Sequence, residues 1–132
     1  DRRAKRFVAG FMGISNLMEG KVEGSCVRLS NGSLCAAKVP EGVADGSPVQ
    51  LSVRPEKIVL DGVTDAMVSL SGTVAERVYV GTATQVIVAL ADGGPRIVAL
   101  EQNTERARDD DRWEIGHGVT VGWLPEHSLV LR

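Results

Sequence analysis

Two cysteines, two histidines, a run of three aspartates and a Ser-Asn pair are the side chains in this sequence whose chemistry invites a search for a site. A zinc site needs three or four ligands at tight spacing, and a nucleophile needs a base beside it. Cys26 and Cys35 lie in one half of the chain and His117 and His127 in the other, so neither pattern forms. Both thiols are expected reduced, as small packing residues. Asp109, Asp110 and Asp111 lack the alternating ligands and the later Glu of a calcium loop, and read as a solvated loop. No Gly-x-x-x-x-Gly-Lys-[Ser/Thr] loop is present to cradle nucleotide phosphates. The expectation is therefore no catalytic residue, no metal site and no cofactor held by this chain.

What remains is chemistry of binding. Ser15-Asn16 reads as a pair that caps a turn. A longer phrase is written twice: GSPVQLSVRPEKIVL at 46–60 and GHGVTVGWLPEHSLV at 116–130, a shift of seventy. Each copy ends its strand at Pro-Glu, Pro55-Glu56 and Pro125-Glu126, where proline fixes φ at a turn. Arg54, Glu56 and Glu126 there either close a lobe or form a surface for a partner or small ligand. Tyr79, Val80 and Trp123 serve either the core or an interface.

The elements that position these residues are mostly strands. Short runs rich in Val, Leu and Ile alternate with polar residues and are closed by Gly, Pro and Asn. CVRLSNGSLCA predicts a hairpin on a two-residue turn at Asn31-Gly32, with Leu29 opposite Leu34 and Val27 opposite Ala36. TQVIVALADGGPRIVAL predicts a second hairpin, turning at Asp92-Gly93-Gly94 with Val86, Val88 and Leu90 on one face. Only RRAKRFVAGFM, residues 2–12, has helical spacing, through Phe7, Val8 and Phe11. Residues 101–116 read as a polar connection. A hairpin followed by the repeated phrase, twice, predicts two similar β lobes rather than a solenoid, which needs three or more units.

Composition narrows the partners. The chain has 132 residues with 43% hydrophobic and 24% charged, enough for one ordinary domain or two very small lobes sharing a core. Fifteen Lys and Arg against 17 Asp and Glu, with only 4% aromatic, argue against nucleic acid, which needs a basic groove with stacking rings. No apolar run approaches the roughly 20 residues of a membrane span. The N-terminal stretch also lacks a signal peptide's features, so a cytoplasmic chain with no membrane insertion is expected.

Phe7-Val8-Ala9-Gly10-Phe11-Met12-Gly13 and Asn16, Val53-Arg54-Pro55-Glu56, Val78-Tyr79-Val80-Gly81-Thr82 and Trp123-x-Pro-Glu with closing Leu129-Val130-Leu131 resemble, in order and spacing, one known tail. It is the transport-associated OB domain, TOBE, of ATP-binding subunits of bacterial ABC importers, nearest the spermidine/putrescine-type branch. The resemblance covers nearly the whole chain. It implies an all-β, OB-like barrel region of two similar lobes, 20–71 and 72–132, with 1–19 a short junction helix and linker from an ATPase domain. It further implies a non-catalytic regulatory and dimerisation domain for import of a polyamine, iron or related solute. ATP and Mg belong to the ATPase domain. Partners are a second copy of the ATP-binding subunit and, through that domain, the transmembrane permease subunits, at the inner face of the membrane. Some relatives bind oxyanions, and Ser15-Asn16 ahead of Gly20-Lys21-Val22 resembles the start of their molybdate-binding modules, where a hydroxyl and backbone amides would meet a small anion. This makes a small-ligand sensor the alternative. Ser15, Asn16, Arg54 and Glu56 are then the candidate ligand residues, and Tyr79, Val80 and Glu126 the candidate interface.

Overall fold

A computed structural model describes residues 15–102 and 113–132, so the expected helix over 2–12 and the three aspartates lie outside the described residues. Among the described residues ten antiparallel strands form two five-stranded sheets. The first has the order β10-β4-β1-β2-β3, from β1 (Asn16–Glu23), β2 (Cys26–Leu29), β3 (Leu34–Ala36), β4 (Pro48–Val53) and β10 (Ser128–Leu131). The second has the order β5-β9-β6-β7-β8, from β5 (Val59–Leu60), β6 (Val68–Val80), β7 (Ala83–Leu90), β8 (Arg96–Gln102) and β9 (Gly118–Trp123). This is the all-β class that the alternation implies, arranged as two sheets.

The doubled phrase is a crossing used twice. In its first copy β4 lies in the first sheet, a 3-10 turn follows at Pro55–Lys57, and β5 joins the second sheet. In its second copy β9 lies in the second sheet, a 3-10 turn follows at Pro125–His127, and β10 returns to the first. Each copy therefore leaves its own sheet and closes the other, so each sheet holds strands from both copies of the phrase. The halves match in detail. Val22 donates to Ser47 at 3.0 Å and accepts from Gly46 at 2.7 Å, while Val74 donates to His117 at 2.9 Å and accepts from Gly116 at 2.8 Å.

One continuous core fills the space between the sheets, with Met18, Val27, Leu51 and Val53 from the first and Val74, Val86, Val88, Ile97, Val121 and Trp123 from the second. Neighbouring strands within each sheet crowd most tightly where a strand carries glycine. A Cβ on Gly72 would stand 2.5 Å from Val88 Cγ1 and 2.9 Å from the Ala89 carbonyl oxygen. Gly20, at the matching place in β1, would meet the Arg28 carbonyl oxygen at 2.6 Å. We expect Gly72→Ala to lower stability by about 1–3 kcal/mol through overpacking, read as a lower urea midpoint.

The second hairpin forms as expected. Asp92 and Gly93 take φ of 57° and 73°, the Gly94 amide donates to Ala91 at 3.1 Å, and Val86, Val88 and Leu90 are buried. The first hairpin differs by one residue. Of its turn residues only Gly32 has positive φ, 92°, and the loop holds three residues, with Leu29 N–H bonded to the Ser33 carbonyl at 2.8 Å. Val27 therefore faces Cys35, and Arg28 faces Leu34. The extra loop residue moves every returning side chain to the opposite face, so Cys35 is fully buried and Leu34 is 47% exposed. The Asn31 side chain favours this loop: Oδ1 accepts from Ser33 N–H at 3.1 Å and Nδ2 donates to the Ala91 carbonyl at 2.9 Å, tying the two hairpins together.

Candidate functional site

Asn16 opens β1 and is buried. Its Nδ2 donates to the carbonyls of Val53 at 3.1 Å and Val98 at 2.9 Å, and its Oδ1 accepts from Val98 N–H at 2.7 Å. Val98 lies in β8, the edge of the second sheet, so one side-chain amide stands in for a missing strand and joins the two sheets. Both donor and acceptor capacities of Asn16 are thus turned to the backbone. Ser15 beside it is half-buried.

Val53, which Asn16 holds, leads into Arg54 and the first 3-10 turn, and β8 packs against that turn. The structure thus gathers Ser15, Asn16, Arg54 and Glu56 at one end of the junction between the sheets. Backbone groups close the turn: Lys57 N–H reaches the Arg54 carbonyl at 3.0 Å and Ile58 N–H the Pro55 carbonyl at 3.2 Å. The second turn is closed by His127 N–H to the Leu124 carbonyl at 2.8 Å and by Ser128 Oγ to the Pro125 carbonyl at 2.7 Å. Arg54, Glu56 and Glu126 are exposed.

Tyr79 and Val80 stand elsewhere, at the end of a hairpin arm. β1 has eight residues and turns at Gly24-Ser25, whereas β6 has 13 and turns only at Gly81-Thr82. β7 and β8 lengthen with it, to eight and seven residues against four and three for β2 and β3. A β-bulge between Val74 and Glu76 marks where the arm departs from the repeated plan. Tyr79 is 59% exposed and Val80 43%, while Trp123 is fully buried, so the arm residues are surface and the tryptophan is core. The length difference between the two hairpins was the sequence signal for this arm.

Cys26 and Cys35 are free thiols. Burial, reinforced by nearby Cys26, pushes the Cys35 thiol from 9.0 up to about 12. The unfolded thiol loses its proton near its ordinary value while the folded one keeps it, so its contribution to stability is full below about pH 9 and lost as pH rises toward 12. A fall in the urea midpoint between about pH 8 and pH 10.5, removed in Cys35→Ala, is the expected result. Half-buried Cys26 is expected to react first with a thiol reagent. Among the described residues no group of three His, Cys, Asp or Glu side chains is placed to hold a metal ion, and no helix is long and apolar enough to cross a membrane.

Comparison with known proteins adds three findings. A family model described as the TOBE domain matches residues 51–131. Spermidine/putrescine import ATP-binding protein PotA of Rubrobacter xylanophilus is 38% identical over 135 residues, covering 97% of this chain and 34% of that protein. The same-named protein of Thermobifida fusca is 41% identical over 135 residues with the same coverage, so the chain spans about a third of the length of these relatives. Among solved structures, the cytoplasmic molybdate-binding protein ModG with molybdate bound superposes with a TM-score of 0.74 at 20% identity, over 88% of this chain and 94% of that one.

Proposed function

From the premise that this chain belongs to the TOBE domain family, we propose that it is the regulatory and dimerisation domain of the ATP-binding subunit of an ABC importer for a polyamine or related solute. The observation that carries the proposal is the match of almost the whole chain to the PotA proteins. In this reading residues 1–19 are the junction to an ATPase domain that binds ATP and Mg, and 20–71 and 72–132 are the two lobes. The permease is reached through the ATPase domain, and the work is done at the inner face of the membrane. The domain itself does no bond chemistry.

Its mechanism is mechanical. Two copies stay in contact while the ATPase domains close on ATP and open after hydrolysis, and a ligand that binds one arrangement better shifts turnover by its differential affinity. A two-sheet body with one core and exchanged closing strands suits that task, because a push on either lobe is transmitted through the 3-10 turns to the other sheet. Light scattering over a wide concentration range tests it. A concentration-dependent dimer is the expected outcome, and a chain that stays monomeric at every concentration overturns the clamp.

The likeness to ModG favours a second reading, a domain that senses a small solute. Ser15, Arg54 and Glu56 are the groups at one end of the sheet junction that a ligand would meet, whereas the amide of Asn16 is already bonded to backbone. Thermal melting with and without molybdate or spermidine distinguishes the two. A saturable rise in Tm with one solute supports sensing, and no shift with either removes it.

A further inference from the structure

The arm carries a surface that the rest of the molecule does not share. Register places Glu76, Ile87 and Val98 in one row across it, Val78, Gln85 and Leu100 in the next, and Val80, Ala83 and Gln102 in the third. These side chains share one face, because Arg77 and Tyr79 fall on the other with buried Val86, Thr84 and Ala99. The first face is apolar apart from amides and the Glu76–Arg96 pair, whose two charges neutralise each other at 3.4 Å. Beyond Val74 no strand pairs with β6 on the side away from β7 among the described residues. An edge with exposed apolar side chains and with backbone groups that no described strand pairs is a template for another strand. The opposite edge of the same sheet, β8, is instead held by Asn16.

We propose that the edge Glu76–Val80 pairs antiparallel with the same edge of a second copy of this chain, about a twofold axis through Val78. This rests on the dimerisation reading above and names its contact. The charges on the strand select the occupant and the register. With the axis at Val78, Glu76 lies opposite Val80 of the other copy, and Arg77 lies opposite Tyr79, so each guanidinium meets an aromatic ring across the strands. The two Glu76 carboxylates are then four residues apart, roughly 13 Å, beyond the screening length of about 8 Å at physiological salt. An axis at Arg77 would instead put the two guanidinium groups face to face. An isologous contact of this kind closes at two copies.

The test uses Val78→Lys and Val78→Glu. Val78 is 42% exposed, so both variants are expected to keep the parent melting temperature. Each variant alone places like charges against each other on the axis and is expected to weaken self-association at least tenfold in sedimentation velocity. An equimolar mixture of the two restores association as a heterodimer, which loss of fold cannot imitate. A dimer that persists in both single variants overturns the arm contact and leaves the clamp standing. A mixture that stays monomeric while the parent dimerises overturns the Val78 axis. A parent chain that is monomeric at every concentration overturns both proposals.

Discussion

Trp123→Ala is expected to cost about 3–5 kcal/mol, the range for removing a buried large aromatic side chain, and thus much of the stability of a domain this size. Trp123 is the largest of the fully buried side chains and ends β9, directly before the turn that sends the chain back to the first sheet. It occupies the place that Val53 holds in the first copy of the repeat, so the second half fills with an indole what the first fills with an isopropyl group. Its Nε1 is the one buried side-chain nitrogen or oxygen among the described residues without a hydrogen-bond partner. A buried donor left unmade costs about 1–3 kcal/mol, which the hydrophobic gain of the ring must exceed. Trp123→Phe should therefore cost much less than Trp123→Ala, because it keeps most of the ring contact and deletes the unmade donor. Urea unfolding of the two variants checks this. Equal losses would mean that the indole N–H, and not the ring volume, is what the core requires.

Much of this architecture was legible in the sequence because alternation reports burial directly. Val86, Val88 and Leu90 read as an inward face and are one, and Asp92-Gly93 reads as a turn because its backbone angles suit those residues. The repeated phrase announced two similar halves. It did not announce that β5 and β10 cross between sheets, since alternation says that Leu60 and Val130 are inward without saying which sheet hydrogen-bonds to them. The Asn31-Gly32 hairpin shows the same limit at shorter range. A two-residue and a three-residue loop both accept the Asn-Gly pair, and the choice rests on the bond from Asn31 to Ala91, 60 residues away in the chain. The candidate ligand residues were partly separable. Ser15, Asn16, Arg54 and Glu56 do come together at one end, but a polar side chain at the head of a strand looks the same whether it faces a ligand or a neighbouring backbone.

The consequence is sharpest for Asn16. Asn16→Leu removes three hydrogen bonds and leaves the N–H and C=O of Val98 without this partner on the edge of the second sheet. At about 1 kcal/mol net for each of the three bonds, and more where a group of Val98 is left buried and unmade, the loss is at least about 3 kcal/mol. Asn16→Asp discriminates between a structural pin and an anion site. An ionised carboxylate here would keep the acceptor for Val98 N–H but lose both Nδ2 bonds, and would point its charge at the carbonyls of Val53 and Val98. Burial and those two carbonyls favour its protonated form, so the folded-state pKa of the new carboxyl rises above its unfolded value. Its penalty is then smallest below the unfolded value, about pH 4, and grows as pH rises through the folded one. The variant should accordingly lie nearer the parent in urea midpoint at about pH 4 than at pH 7. A penalty that is flat across that range would mean that the side chain at 16 reaches water, and would reopen the Ser15-Asn16 corner as a place where an anion is bound.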